Sequence, residues 1–235
     1  MDELGVVCIH GAGLNSSIWD DLKKEIKGDV LAVDFPNRMG KEDANKDLEF
    51  FQYVDWVAQQ IKNWQRHKFI IVAHSIGALV ALKVAEHFKD ELRGLVAIAS
   101  VIPKSGGSFT SALPFPQNIL LPPILGILGT KPPDSSIRSS LCNDLDAAQT
   151  DKIVKGFTPE SKKLYTTKIN FGIPQTNRLY IKTTKDDLSE RFQDKMAHNF
   201  RADTVISLDS GHLPMLGKPG PLASAIGEFL KEGLK

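Results

Sequence analysis

Apolar strand-like runs alternate with helix-like stretches along this 235-residue chain, and the alternation restricts its possible folds more than any other feature. A fully buried parallel strand shows a continuous apolar run, and each parallel pair needs a crossover connection. The pattern therefore predicts an α/β fold with a doubly wound, mainly parallel sheet of about six strands flanked by helices. The strand-like runs are residues 5–9, 30–35, 68–73, 92–100, 178–183 and 203–208.

Helical spacing marks the connections between these runs. Asn15 or Ser16 is a candidate cap for the first helix. In the second, Leu48, Phe51 and Val54 begin a repeat of three or four residues that predicts one buried face. The predicted helices are residues 15–26, 43–64, 76–88, 189–200 and 221–231.

The alternation is interrupted by residues 103–175, here called the insertion, which separates a first core segment (1–102) from a second (176–235). Its stretch 114–129, PFPQNILLPPILGILG, contains too many prolines to predict a long helix and too many Leu and Ile to predict free solvation. Two interpretations stay open. The insertion forms a helical and loop cap over a site, or it is an ordinary insertion that packs on the sheet.

Charge, apolar content and cysteine number limit the classes of molecule that this chain is expected to bind. A net charge of +1 argues against nucleic acid, and the most apolar stretch is too short and too proline-rich to span a bilayer. Two distant cysteines predict free thiols rather than a disulfide or zinc site. The first residues lack a basic and apolar leader pattern, which favours the cytoplasm. We expect a small-molecule substrate, no cofactor and no metal.

Ser75 lies between a predicted strand and a predicted helix, in IIVAHSIGALVAL. A serine there often caps the helix. However, Ala73 and Gly77 flank it in a small-x-Ser-x-small pattern, which a sharp strand-to-helix turn requires. Such a turn presents a nucleophilic hydroxyl at the carboxyl edge of the sheet, and the backbone N–H of Ile76 follows as one oxyanion donor.

The second oxyanion donor is predicted in CIHGAG, residues 8–13, directly after the first strand. We assign it to the backbone N–H of Ala12. The alternative is a plain glycine-rich connection. A dinucleotide-binding loop fits less well, because the third glycine of that motif would fall at Ser16.

His212 is the candidate base, because it follows the last predicted strand beside Gly211. Its acid partner should lie between the serine and the histidine in the chain. Asp186 is preferred over Asp187, which is expected to cap the next helix, although both could be caps. Asp34 and Asp209 are weaker candidates. Histidines 10 and 74 are expected to orient turns, and histidines 67, 87 and 198 to be solvated.

Together, HGAG, AHSIGA, NDLDAAQTDKIV, YIKTTKDD and SGHLPML resemble the α/β-hydrolase superfamily. The likeness is greatest to the branch of hydroxynitrile lyases, methyl-salicylate-type esterases and related bacterial carboxylesterases. The resemblance implies Ser75 as nucleophile, His212 as base and Asp186 as its acid, with a cap after the fifth strand. It also implies a carboxylesterase that needs no cofactor.

Two departures from the lyases favour the esterase. The lyases have Thr after the first motif histidine and Lys after the catalytic one, whereas this chain has Gly11 and Leu213. Two other functions stay open: a hydrolase-derived protein that binds a small ligand, and a hydroxynitrile lyase. A homodimer is also possible. The loop 34–40 departs from the DxPGxG pattern at Asn37, with no consequence assigned.

Overall fold

The computed structural model describes residues 4–38 and 44–233, with side chains through residue 231. Six strands form one parallel sheet in the order β2-β1-β3-β4-β5-β6, which confirms the predicted fold class. The strands are β1 Gly5–Ile9, β2 Val30–Val33, β3 Phe69–His74, β4 Leu92–Ile98, β5 Asn177–Thr183 and β6 Thr204–Leu208.

Eleven α-helical segments are present within the described residues. They are α1 Asp20–Glu25, α2 Phe50–Trp64, α3 Gly77–Val84, α4 Phe109–Ala112, α5 Gln117–Ile127, α6 Asp134–Ser136, α7 Ala147–Gly156, α8 Lys162–Thr166, α9 Glu190–Phe200, α10 Pro214–Gly217 and α11 Pro219–Gly233. A 3₁₀ turn, Ser16–Trp19, precedes α1, a second, Ala85–His87, follows α3, and a π-helical turn, Ile137–Leu141, follows α6.

Alternate residues of the strands enter two different cores, as the side-chain period of a strand requires. Val7 and Ile71 pack with α2, α3 and α9 on one face, whereas Cys8 and Val72 pack with α1 and α11 on the other. The insertion follows β4, so the expected position of a cap after the fifth strand is wrong for this chain. The insertion contributes to both cores, through Leu164 on the first face and through α7 on the second. The sheet is therefore covered on both sides, and the insertion contacts both coverings.

One predicted helix boundary and one predicted buried residue are wrong for local reasons. The second helix begins at Phe50 rather than near residue 43, which lies outside the described residues, because Glu49 and Gln52 form a capping box. Phe51, predicted on the buried face, is 50% exposed, and Phe50 and Tyr53 are buried instead. At the first helix, the Asn15 side chain accepts a hydrogen bond from Ser17 N–H, as one of the two predicted caps.

The proline-rich stretch also differs from its prediction. It contains α5, a helix of 11 residues that includes Pro122 and Pro123. Consecutive prolines remove only two N–H donors, and their fixed φ is compatible with a helix. No residue of α5 is buried. Its apolar side chains are exposed as well, with Ile119 at 62% and Ile127 at 81%.

Candidate active site

Ser75 occupies a strained turn between β3 and α3. Its φ is +53°, in the left-handed region that residues with a side chain rarely adopt, and this costs about 1–3 kcal/mol. Its N–H donates to the Ile98 carbonyl at 3.0 Å, which ties the turn to the end of β4. The capping interpretation is wrong, because Ile76 is the N-cap of α3 and no side chain caps it. The Ser75 hydroxyl is half-buried and is not used to start the helix.

Small residues beside Ser75 are required by the approach of the loop that follows β1. A Cβ atom on Gly77 would lie 2.4 Å from the carbonyl oxygen of His10. A Cβ atom on Gly11 would lie 2.8 Å from Nδ1 of His74 and 3.0 Å from the Ser75 Cβ. Both contacts are closer than ordinary carbon contacts. The HGAG loop and the serine turn therefore pack directly against each other.

Asp186 and His212 form a hydrogen-bonded pair. Asp186 Oδ2 lies 2.7 Å from His212 Nδ1 and also accepts from the Thr183 hydroxyl at 2.8 Å. Its Oδ1 accepts from Leu188 N–H at 2.9 Å. Asp186 follows β5 and His212 follows β6, so parallel strands bring residues from different parts of the chain to one edge. With Nδ1 directed at the carboxylate, His212 Nε2 remains available as a base.

The environment of Asp186 acts on its pKa in two directions. Burial raises the pKa, but the His212 charge and the three hydrogen bonds outweigh it, so the pKa lies below its ordinary value. The preferred acid is thus held ionised at neutral pH. Asp187, by contrast, is exposed and does not cap α9, because Ser189 does so by accepting from Phe192 N–H. The predicted capping role of Asp187 is wrong.

The lowered pKa of Asp186 predicts a pH-dependent contribution to stability. The contribution is present above the ordinary carboxyl pKa of about 4 and is lost as pH falls through the lower folded-state value. We expect Asp186→Asn to unfold more easily than the wild type by roughly 1–3 kcal/mol at pH 5 and above, with the gap shrinking in acid. Urea unfolding followed by circular dichroism across pH measures it. Asp187→Asn should follow the wild type throughout, and a constant gap for Asp186→Asn would contradict the assignment.

His74 connects the serine turn to the loop of His212. Its Nε2 lies 2.9 Å from the His212 carbonyl oxygen, and the two ring centroids are 4.7 Å apart. Burial lowers the pKa of His74 well below its ordinary value, so the ring is neutral and donates through Nε2. Because His74 directly precedes Ser75, this bond joins the loop of the predicted base to the strand end that leads into the serine turn. The geometry agrees with the predicted orienting role of His74.

The predicted oxyanion donors have no competing acceptors. Within residues 4–38 and 44–233, neither the Ala12 N–H nor the Ile76 N–H donates to a protein acceptor. Ile76 stands at the start of α3, where helical N–H groups carry partial positive charge. His10 supports the other loop, because its Nε2 accepts from Phe35 N–H at 3.1 Å while Nδ1 lies 2.7 Å from the Gly11 oxygen. Among the described residues, therefore, no protein acceptor competes for either amide.

The weaker candidates lie elsewhere. Asp34 accepts from Ser16 N–H at 2.6 Å and from the Ser16 hydroxyl at 2.9 Å, as a loop support. Asp209 is exposed and pairs with Lys185. Histidines 67, 87 and 198 are exposed, as predicted. Across the described residues, no cluster of side chains suited to a metal ion was found, and no helix there could span a membrane.

Sequence reasoning missed two acidic side chains that hold the site loops. Asp144 accepts from Gly211 N–H at 2.5 Å and from the Ser210 hydroxyl at 3.1 Å, directly before His212. Glu160 accepts from Gly13 N–H at 3.0 Å, directly after Ala12. Asp144 falls within the motif NDLDAAQTDKIV, but the motif alone does not predict this contact. Glu160 is in no motif, and its contact spans 147 positions of sequence.

Comparison with solved structures supports the fold. An extracellular alpha/beta-hydrolase from a Paenibacillus species superposes with a TM-score of 0.84 at 20% identity, covering 96% of this chain and 98% of that one. A methylesterase from Arabidopsis gives a TM-score of 0.77 at 19% identity, covering 97% and 99%. These neighbours come from the branch that the sequence resembles, and at such identities they establish the fold.

Sequence comparison gives a shorter match and a family. A pimeloyl-[acyl-carrier protein] methyl ester esterase of Shewanella woodyi is 34% identical over 96 residues, or 40% of this chain. The matched part spans 35% of the length of that relative. The model of the Alpha/beta hydrolase family, in contrast, matches residues 6–225. With the parallel sheet and the serine turn described above, this match shows that the chain belongs to the alpha/beta hydrolase family.

Proposed function

We propose that this protein is a serine carboxylesterase that acts through an acyl-enzyme. The observation that carries the proposal is the 2.7 Å pair of Asp186 and His212, whose loop is bonded to His74, the residue before the strained turn of Ser75. A serine, a carboxylate and a histidine in this chain order, each following a strand at the same edge of the sheet, form the arrangement that activates a serine hydroxyl.

In the first half of the reaction, Ser75 Oγ attacks the ester carbonyl carbon and its proton passes to His212 Nε2. Asp186 stabilises the imidazolium that forms. The N–H groups of Ala12 and Ile76 donate to the negative oxygen, and each such donor is worth about 3 kcal/mol. When the tetrahedral intermediate collapses, the alcohol leaves with the proton from His212, and the acyl group stays on Ser75.

In the second half, His212 takes a proton from water, and the resulting hydroxide equivalent attacks the acyl carbon. Collapse of the second intermediate returns the proton to Ser75 Oγ and releases the carboxylic acid. The cycle needs no cofactor and no metal, because protons and charge are handled by the side chains and backbone amides named above.

For the substrate, we propose esters whose acid or alcohol part is small and apolar or aromatic. The Shewanella woodyi relative acts on a methyl ester according to its name, and it shares 34% identity over its matched part. Tyr165, Ile169 and Phe171 of the insertion are buried in the same core cluster as α3, which anchors the insertion on the sheet. In this proposal the insertion forms the cap that covers the acyl or aryl group.

The two positions that separate this chain from the lyases argue against that alternative. Leu213 is fully buried among apolar residues, where a lysine would leave an unpaired charge. At Gly11, even a Cβ atom would approach His74 Nδ1 to 2.8 Å, so a threonine would displace the site. The residues that the lyases carry at both positions do not fit this packing.

Burst kinetics test the proposal. With p-nitrophenyl acetate and butyrate in excess, we expect a rapid release of p-nitrophenol equal to the enzyme concentration, followed by slower turnover, because the activated ester acylates the serine faster than water deacylates it. A panel of aryl and alkyl esters then ranks the substrates. Absence of ester turnover across the panel would overturn the proposal. In that case, cyanide release from mandelonitrile would identify a lyase, and tight binding without turnover a ligand-binding protein.

A further inference from the structure

Gly13, directly after Ala12, is held on both sides by the insertion. Its N–H donates to Glu160 Oε1 at 3.0 Å, and its carbonyl accepts from Thr158 N–H at 2.9 Å. The first bond fixes the plane of the peptide that joins Ala12 to Gly13. The orientation of the Ala12 N–H relative to this peptide then depends only on the φ and ψ angles of Ala12.

Residues 157–160 of the insertion also leave no room for a side chain at position 13. Its φ is +76°, and a Cβ atom would lie 2.1 Å from the ring of Phe157. The ring therefore packs on the bare backbone of the HGAG loop. Residues 157–160 contact this loop through one aromatic ring, one backbone amide and one carboxylate.

The Glu160 carboxylate is fully buried and is held in place by polar groups. Arg38 Nη2 donates to the same oxygen that binds Gly13, and the Arg38 side chain is only 6% exposed. Asn45 Nδ2 donates to Oε2 at 3.5 Å and to the Pro159 carbonyl at 3.2 Å. Burial raises the pKa of Glu160 above its ordinary value, and the Arg38 guanidinium opposes that rise. A buried carboxylate is costly unless it is paired in this way.

Arg38 and Asn45, the partners of Glu160, lie in the segment after β2. In this segment Asn37 replaces the glycine of the DxPGxG pattern, and the structure gives this asparagine a role. Asn37 has φ +58°, a conformation that asparagine tolerates better than most residues. Its side chain donates to Asn45 Oδ1 at 3.1 Å and to the Ala44 carbonyl at 3.0 Å. The amide of Asn37 thereby orients Asn45 towards Glu160, which a glycine could not do.

We infer that Glu160 is a positioning residue for the oxyanion hole, which it sets by binding the Gly13 amide while Arg38 and Asn45 fix its carboxylate. The inference rests on the proposed function. Glu160 does not touch the reacting atoms in this account. It acts through the peptide that follows Ala12, so its loss should weaken binding of the transition state more than binding of the substrate.

Two substitutions of Glu160 separate positioning from packing. Glu160→Ala removes the acceptor and should lower kcat by about 10–100-fold with KM changed less than about threefold, since a displaced donor costs up to the full value of an oxyanion contact. Glu160→Gln keeps an acceptor for the Gly13 amide and should restore kcat to within about threefold of wild type, even where unpaired Arg38 lowers stability.

A trifluoromethyl ketone gives a direct readout, because it forms a tetrahedral adduct whose oxyanion needs the hole. Glu160→Ala should weaken its inhibition by the same factor as kcat/KM, whereas inhibition by the matching methyl ketone, which stays trigonal, should hold. Lys163→Ala is the matched control. It removes the exposed ion pair with Glu49, another link between insertion and core, and should leave kcat and both inhibitors unchanged.

Amide hydrogen exchange of residues 11–14 tests the contact independently of catalysis. Exchange should accelerate in Glu160→Ala and stay near the wild-type rate in Glu160→Gln. The inference is overturned if a folded Glu160→Ala keeps wild-type kcat, inhibitor affinity and exchange. It is also overturned if kcat in both variants simply follows their thermal stability. An enzyme that hydrolyses no ester while Glu160 still protects residues 11–14 would instead contradict the proposed function.

Discussion

Replacement of Ser75 by alanine should reduce kcat for ester hydrolysis by about four orders of magnitude or more, because the covalent step is lost and only the oxyanion donors and binding remain. Stability should change by less than about 0.5 kcal/mol, because the hydroxyl caps no helix and alanine keeps the same backbone strain. The measurements are burst amplitude, steady-state kcat and thermal unfolding of the same preparation.

Ser189→Ala is the matched control, because that serine does cap a helix. Its hydroxyl accepts from Phe192 N–H at the start of α9, so its loss should cost about 1 kcal/mol of stability and leave kcat close to the wild type. Ser75→Ala should therefore lose activity and keep its stability, whereas Ser189→Ala should lose stability and keep its activity. Turnover that survives in Ser75→Ala, or a loss confined to its stability, would exclude Ser75 as the nucleophile.

Gly77→Ala should have a large structural effect for a single methyl group, because the added carbon would meet backbone atoms. The added Cβ would lie 2.4 Å from the His10 carbonyl oxygen and 3.1 Å from the Ile9 oxygen, both backbone atoms at the end of β1. They cannot move aside without shifting the strand or the helix. We expect a loss of about 3 kcal/mol or more in unfolding free energy, or a turn displaced from Ala12 with kcat reduced about 100-fold.

A second glycine supplies the control for Gly77→Ala. Gly227 lies inside α11, and an added Cβ there meets nothing within 4 Å. Gly227→Ala should raise stability by about 0.5–1 kcal/mol through helix propensity and leave activity unchanged. Chemical unfolding and ester kinetics on both variants measure the difference. Equal stability of the two variants would mean that the helix does not pack on the HGAG loop as described.

Much of the fold could be predicted because buried parallel strands carry their signal locally. Runs such as GVVCI and FIIVAH are apolar without alternation, since both faces of the sheet are covered. The site was predictable for a related reason: Ser75, Asp186 and His212 each follow a strand, and parallel strands end at one edge. Small residues on both sides of Ser75 then separated a sharp turn from an ordinary connection.

The missed features depend on contacts that have no local pattern. Nothing near Glu160 indicates that it is buried against Gly13 and Arg38, at separations of 147 and 122 positions. Asp144 is similar, because its partner Gly211 lies 67 positions away. The predicted start of α2 is wrong because the capping box of Glu49 and Gln52 begins the helix after Leu48, although the apolar repeat includes Leu48. In α5, proline content was a poor guide because the helix lies at the surface.

The contacts of the insertion also bear on how this protein could be re-engineered. Asp144 and residues 157–160 belong to the insertion by sequence but support the loops of His212 and Ala12. Exchanging the whole of residues 103–175 with a relative would therefore replace side chains that support the candidate site. The exposed stretch 114–129 makes no such contact with either loop among the described hydrogen bonds. A chimera could therefore replace this stretch and keep Asp144 and residues 157–160, which support the two loops.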